Sequence, residues 1–167
     1  MQIIVSDTSC IVDLKRVELL AAIFELPFQF VIPAPLLDYE LLTLSSLEKQ
    51  LMMDLGLTVL DLDSSAMKIA YDHNAQNAAL SVYDCLALTL AQTTQDAILF
   101  TGDSTLRRKS EELQIETHGV IWALDHLLQR NCCTKDQALT ALETWIEDPL
   151  VFLPKQELRK RITRLKK

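Results

Sequence analysis

Five acidic residues are the first candidates for chemistry, because each lies just after a predicted strand or near the start of a predicted helix. They are Asp7, Asp38, Glu40, Asp84 and Asp103. Carboxylate oxygens are the ligands that Mg²⁺ and Mn²⁺ prefer in proteins. One or two such ions can activate a water and stabilise the leaving oxygen of a phosphodiester. If these acids meet in the folded chain, they favour a metal-dependent hydrolase.

Short apolar runs alternate with helical patterns along the whole chain. Strands are predicted at residues 3–5, 30–32, 57–60, 97–100 and 115–117. Helices are predicted at residues 10–24 in two pieces, 35–42, up to about 54, from Ser64 or Ser65 to 70, 82–92, 105–113, 119–128, 134–146 with a Thr134–Gln137 capping box, and after Pro154. This alternation predicts an α/β protein with a mostly parallel sheet that helices cover on both faces.

The carboxyl edge of such a sheet is where ligands bind. Asp7 and Asp103 directly follow the first and fourth predicted strands. A helix that follows a strand begins at this edge, which places Asp38 and Glu40 there. A helix that precedes a strand also begins there, which places Asp84 at the same edge. We therefore expect four separate segments to deliver carboxylates to one site.

Four motifs occur in the order seen in PIN domains. They are Asp7-Thr8-Ser9 after a strand, a proline-containing entry to Glu40-Leu41-Leu42, Tyr83-Asp84-Cys85-Leu86-Ala87-Leu88, and Leu99-Phe100-Thr101-Gly102-Asp103. The chain resembles the VapC-like toxins of prokaryotic toxin–antitoxin pairs. The resemblance runs from the first strand to about Gly119, some two thirds of the chain.

The resemblance implies a three-layer α/β/α fold with a parallel sheet of about five strands in the order 3-2-1-4-5 and extra C-terminal helices. It also implies metal-dependent RNA cleavage, a homodimer and an antitoxin partner. Asp7 would be the central metal ligand, Glu40 and Asp84 would complete one site, and Asp103 would hold the second. Ser9 and Thr101 would orient these carboxylates or a water.

Several positions keep more than one interpretation. Asp38 and Glu40 are two residues apart, and a helix turns about 200° over two residues, so only one can point fully inward; the sequence context favours Glu40. Asp7 could simply cap the following helix, and Asp103 could be a turn residue. Many PIN domains have another polar or acidic residue closely after the last aspartate, whereas Asp103 is followed by Ser104-Thr105-Leu106, so comparison with that family predicts a weak second metal site.

Charge is unevenly distributed along the 167 residues. The formal net charge is −7, yet residues 155–167 contain seven of the sixteen basic residues and a single acid, Glu157. An acidic body repels a phosphate backbone. The basic tail and the cluster Arg107, Arg108 and Lys109 are therefore candidate RNA contacts. We predict a nuclease domain at residues 1–130 and a helical extension at residues 131–167, packed on the same domain.

Composition excludes some classes and leaves two rivals. No apolar stretch approaches the length of a membrane span, and the N-terminus does not resemble a signal peptide, so a cytoplasmic protein is expected. The four cysteines match no zinc pattern: Cys10, Cys85, Cys132 and Cys133.

Two other functions compete with the nuclease. The first rival is a PIN-fold binding or scaffold protein with weak or no catalysis. The second is a phosphatase with an aspartyl nucleophile, which Asp7-Thr8-Ser9 disfavours because it lacks a second aspartate.

Overall fold

The computed structural model describes residues 1–167 and contains one five-stranded sheet. All four pairs of neighbouring strands are parallel, in the order β3-β2-β1-β4-β5. The strands are β1 (Gln2–Ser6), β2 (Phe28–Pro33), β3 (Thr58–Leu60), β4 (Ile98–Phe100) and β5 (Thr117–His118). The predicted α/β class, the parallel sheet and the order 3-2-1-4-5 are confirmed.

Eight α-helices and two short helical turns connect and cover the strands. The helices are α1 (Thr8–Arg16), α2 (Ser46–Asp54), α3 (Ser64–Gln76), α4 (Val82–Thr93), α5 (Ser104–Glu112), α6 (Val120–Gln129), α7 (Lys135–Glu147) and α8 (Lys155–Leu165). A 3₁₀ turn covers Ala22–Glu25 and a π-helical turn covers Leu36–Glu40. α3 packs on α4, while α1, α6, α7 and α8 form a second connected layer.

Three predicted elements are wrong in their boundaries. β5 lies at Thr117–His118 instead of 115–117, since residues 115 and 116 precede its first ladder pair. The helix expected over 35–42 is a single π-helical turn that ends at Glu40. Asp63, and neither of the two serines that follow it, caps α3 by accepting from the Ala66 amide, and that helix continues to Gln76.

The topological switch point of the sheet, where successive strands begin to be added on the opposite side, lies between β1 and β4. From β1 the chain first adds β2 and β3 on one side, then returns to add β4 and β5 on the other. A crevice opens at the carboxyl ends of the strands where connections diverge in this way. The Asp7 amide extends the β1–β4 pairing by donating to the Phe100 carbonyl at 2.9 Å. Asp7 and residues 101–103 therefore lie side by side at this crevice.

The helices after residue 130 pack against the rest of the chain. Trp145 of α7 is fully buried, and its indole Nε1 donates to the Asp13 carbonyl in α1 at 3.0 Å. Leu158 of α8 is also fully buried. The Thr134–Gln137 capping box that the sequence predicts is present at the start of α7. No helix has the length and apolar character needed to cross a membrane.

Candidate metal centre

Asp7 lies at the centre of the carboxyl edge and is only 3% exposed. Its side chain makes no capping hydrogen bond to α1. Instead, Oδ2 accepts hydrogen bonds from Ser9 Oγ at 2.7 Å and from Thr101 Oγ1 at 2.8 Å. Oδ1 receives no donor from the protein. A buried carboxylate is costly unless charge or hydrogen bonds compensate it, so this arrangement leaves a place for a cation.

The two hydroxyl groups also fix the loop that follows β4. Ser9 Oγ accepts from the Gly102 amide at 2.9 Å, and Thr101 Oγ1 accepts from the Asp103 amide at 3.0 Å. Each hydroxyl thus donates to Asp7 and accepts from the backbone. Because consecutive hydrogen bonds from amide to hydroxyl to carboxylate reinforce one another, the Asp7 carboxylate is held in one orientation.

Glu40 approaches the same edge from the π-helical turn. The turn is closed by a hydrogen bond from the Leu41 amide to the Leu36 carbonyl, five residues earlier. Such wide turns are rare and frequently occur at functional sites. Glu40 is half-buried and Oε2 accepts from Thr8 Oγ1 at 3.1 Å, whereas Asp38 is exposed. Of these two acids, Glu40 is the one that the structure brings toward Asp7.

The pKa of Glu40 reflects this crowding. Burial is the largest cause that raises its pKa, to about 7, and the negative charge of Asp7 raises it further. The hydrogen bond from Thr8 opposes the shift, and the charge of Asp84 adds to it. A carboxyl group with this pKa is disfavoured in its charged form, and a bound cation would reverse that preference.

Asp84 occupies the first turn of α4 as half of a capping box. Its Oδ2 accepts from the Ser81 amide at 2.6 Å, while Ser81 Oγ accepts from the Asp84 amide at 3.1 Å. Burial raises the pKa of Asp84, the bonds to Ser81 lower it, and the charges of Asp7 and Asp103 raise it. The capping box fixes this carboxylate at the carboxyl edge, facing the other acids.

Asp103 is the most exposed of the four acids. It caps α5, since Oδ1 accepts from the Leu106 amide at 2.7 Å. It therefore has a local structural role, as a helix cap and not as the turn residue that the sequence allowed. Oδ2 receives no donor and remains available at the crevice.

The four acids share two properties that set them apart. Each has one carboxylate oxygen bonded to a protein donor and one without any, and no lysine, arginine or histidine forms an ion pair with Asp7, Glu40, Asp84 or Asp103. As the side chains stand, no three acidic, histidine or cysteine groups lie close enough to share one ion. Without a cation the four negative charges repel one another, and each carboxylate is held by a hydrogen bond from a neighbouring protein donor.

The donor set fits a hard divalent cation. All candidate ligand atoms are oxygens, from carboxylates and hydroxyls, and none is a sulfur or an imidazole nitrogen. Mg²⁺ and Mn²⁺ bind such groups, and Mg²⁺ usually retains several waters and needs only a few carboxylates. The free oxygens of Asp7, Glu40 and Asp84 are the groups that could turn toward one ion.

The basic residues near Asp103 are mostly engaged. Arg107 donates from Nη2 to the Thr101 carbonyl and from Nη1 to the Thr117 carbonyl, both at 3.1 Å. Lys109 pairs with Glu112, while Arg108 is exposed and has no partner. Arg107 thus ties α5 to the ends of β4 and β5 and supports the loop that carries Thr101. An RNA contact by Arg108 stays a prediction.

Two residues of this edge were missed by the sequence reasoning. Thr8 lies in the quoted Asp7-Thr8-Ser9 motif, yet only Ser9 was given a role; its contact with Glu40 joins residues 32 positions apart. Ser81 could have been found, because Ser-x-x-Asp before an apolar helix is a capping-box signal.

A parallel sheet with helices on both faces and a crevice at its switch point defines the class of doubly wound α/β domains, which bind ligands at that point. Within this class, a family model of the PIN domain matches residues 3–167. The chain therefore belongs to the PIN-domain family. PIN domains are generally nucleases, and they usually bind divalent metal ions. Comparisons with curated proteins and with solved structures found no match.

Proposed function

We propose that this chain is a Mg²⁺- or Mn²⁺-dependent endoribonuclease that hydrolyses phosphodiester bonds in RNA. One observation carries the proposal: four carboxylates, from the ends of β1 and β4, the π-helical turn and the start of α4, gather at one edge with no cationic side chain among them. Such a charge arrangement is costly without a bound cation.

The residues have distinct roles in this proposal. Asp7 would hold the ion, and Ser9 and Thr101 fix the orientation of the Asp7 carboxylate. Glu40 and Asp84 would complete the site and orient a water toward the phosphate, while Asp103 would serve a second, weaker site. One or two bound ions would supply positive charge at the phosphate and lower the pKa of the attacking water.

The test is cleavage of a mixed RNA pool by purified protein in Mn²⁺ or Mg²⁺. We expect cleavage that EDTA abolishes and that falls at least about a hundredfold in Asp7→Asn and Asp84→Asn, as is typical when a group that stabilises the transition state is removed. Asp38→Asn is the matched control, because it removes an exposed acid next to Glu40 and should leave cleavage unchanged. Circular dichroism would verify that all variants are folded.

Retained cleavage in both Asp7→Asn and Asp84→Asn would refute the site assignment. Sequencing of the cleaved ends would separate an endonuclease, which produces internal ends, from an enzyme that trims from a terminus.

A second candidate is a PIN-fold binding protein with weak or no catalysis. It is favoured by the absence of three close ligand groups and by the exposed, helix-capping position of Asp103. Titration calorimetry with Mn²⁺ discriminates the two. If the unmodified chain binds Mn²⁺ and cleaves RNA, and Asp7→Asn abolishes the binding, the nuclease is supported. If the folded chain neither binds Mn²⁺ nor cleaves RNA, the second candidate is supported.

We further propose that the chain is the toxin of a toxin–antitoxin pair and forms a homodimer. Supporting this, α2 and the residues before it expose a row of leucines, 40–79% accessible, that the chain itself does not cover: Leu42, Leu47, Leu51 and Leu55. Exposed apolar rows of this kind mark contacts with other proteins. We expect light scattering to give twice the mass of one chain. We also expect the product of an adjacent gene to co-purify with the chain and to inhibit cleavage.

A further inference from the structure

A cavity of about 480 Å³ lies directly beside the proposed metal centre. It shares two residues with that centre, Ser9 and Asp103, and continues along α1 past Asp13 and Arg16. Its far wall comes from the segment 148–152 between α7 and α8, through Leu150 and Phe152. The volume lies within the range of small-molecule sites. An occupant would therefore be a neighbour of the scissile phosphate.

The far wall is a short irregular segment that carries two exposed apolar side chains. Asp148 anchors the segment, because Oδ1 accepts from the Leu150 amide at 2.8 Å and Oδ2 lies 3.6 Å from Arg16 Nε. Val151 is buried, whereas Leu150 is 66% exposed and Phe152 is 87% exposed. The segment thus presents an aromatic ring and a leucine at the mouth of the cavity.

The floor of the cavity favours a neutral ring over a phosphate. Asp13 and Asp103 each have a carboxylate oxygen without a donor, and the single cation, Arg16, already pairs with Asp13 at 3.1 Å. A phosphate would meet net negative charge here. A nucleobase carries no charge, and its amino and ring N–H groups can donate to these carboxylates and to the serine hydroxyls.

We infer that this cavity binds one unpaired nucleobase of the RNA, next to the cleaved bond, with its face stacked on Phe152 and its polar edge toward Asp13. The inference rests on the proposed nuclease function and extends it to the recognition of a single-stranded segment. Stacking on an aromatic side chain suits every base, because every base has a π-face. The hydrogen-bonding edge supplies selectivity, for a base that presents an amino donor.

The primary experiment is photocrosslinking of a short single-stranded RNA that contains 5-iodocytidine, whose base keeps an amino donor, in EDTA, followed by mass spectrometry of the crosslinked peptide. No cleavage is needed for this readout. We expect a crosslink at Phe152 that Phe152→Ala abolishes and Phe152→Trp restores. A crosslink pattern that excludes residues 148–152 would overturn the inference.

Kinetics with the same RNA in Mn²⁺ provide the second readout. For Phe152→Ala we expect KM to rise about tenfold with kcat nearly unchanged, the size that loss of one stacked base predicts. Tyr71→Ala, which removes a 56%-exposed aromatic ring on α3, is the matched control and should change neither constant. Asp13→Asn should alter the base preferred beside the cleaved bond. Unchanged KM in Phe152→Ala together with an unchanged base preference in Asp13→Asn would overturn the inference.

The two proposals fail in different ways. Cleavage of RNA without any contribution of Phe152 refutes the nucleobase site and leaves the nuclease standing. Crosslinking at Phe152 in a protein that cleaves no RNA refutes the nuclease and supports the nucleobase site. If Phe152→Ala leaves RNA contact intact and instead blocks binding of a protein partner, the cavity serves that partner and the inference is wrong.

Discussion

The carboxyl edge of the sheet and the C-terminal helix α8 are both highly charged, but they differ in whether the charged side chains form ion pairs. In α8 and the residue that follows it, four of the seven basic residues of the tail form ion pairs: Lys160, Arg161, Arg164 and Lys166. Most of their partners lie on other helices, Asp125 on α6 and Glu143 on α7. At the sheet edge, none of the four acids has a cationic partner. The pairing of charges, more than their number, distinguishes the surface of α8 from the sheet edge, where we propose a metal site.

The largest expected effect is the loss of stability when the buried apolar contact of α8 is removed. Leu158 is fully buried, so Leu158→Ala should lower the free energy of unfolding by about 3 kcal/mol, the usual cost of a large-to-small change in a core. Urea denaturation followed by circular dichroism measures it. A loss below about 1 kcal/mol would mean that the ion pairs, not the apolar contact, anchor the helix.

The next effect concerns the acids of the sheet edge. Mn²⁺ at a hundred times its dissociation constant should raise the free energy of unfolding by about 2.7 kcal/mol. Asp7→Asn should abolish this increase, because it removes the central charge. Thermal denaturation with and without Mn²⁺ measures both, and Arg161→Gln serves as the control that should retain the full increase. An equal increase in Asp7→Asn would place the ion elsewhere.

A smaller effect is expected for the ion pairs of α8. Arg161 contacts Asp125 through Nη2 at 2.6 Å and through Nε at 2.9 Å, and both side chains are partly exposed. Since solvent screens such pairs, Arg161→Gln should cost about 1 kcal/mol, and 1 M NaCl should reduce the difference between the variant and the unmodified chain. Urea titrations at low and high salt measure it. A cost that salt leaves unchanged would indicate packing as the cause.

The smallest effect is a pH dependence of the metal-free protein. The pKa of Glu40 is raised to about 7, so the folded state binds a proton more tightly than the unfolded state does. The stability from this group is complete below its unfolded pKa, near 4.5, and is lost as the pH rises through about 7. In EDTA, the melting temperature should therefore fall more between pH 5.5 and 7.5 in the unmodified chain than in Glu40→Gln. Parallel curves for the two proteins would contradict the assignment.

Much of the fold was predictable because it depends on local periodicity. The apolar runs at residues 3–5 and 97–100 end at Asp7 and Asp103, which the structure places side by side between β1 and β4. The strand order came from the resemblance of four motifs to PIN domains, and the five parallel strands confirm it. The boundaries of β5 and of the turn at Leu36–Glu40 were wrong, since short elements have too few residues to show a period.

The sequence placed Asp7, Glu40, Asp84 and Asp103 at one edge of the sheet, and their assignment as a metal site stays a prediction. Tertiary structure supplied the rest. It bonded Thr8 to Glu40 and paired three of the seven basic residues of the tail with acids of α6 and α7. It also brought the segment 148–152 beside Ser9 to form a cavity.

The sequence by itself determined the alternation of strands and helices, and with it the edge at which the acids collect, because both follow from patterns within a few residues. Only the tertiary structure decided which carboxylate oxygens have donors and which cations are already paired. Those outcomes depend on contacts such as Thr101 with Asp7 and Arg161 with Asp125, whose partners are 94 and 36 residues apart. The electrostatic energy of a charged side chain depends on its burial and on the groups that surround it, and both are fixed only when distant segments of the chain come together.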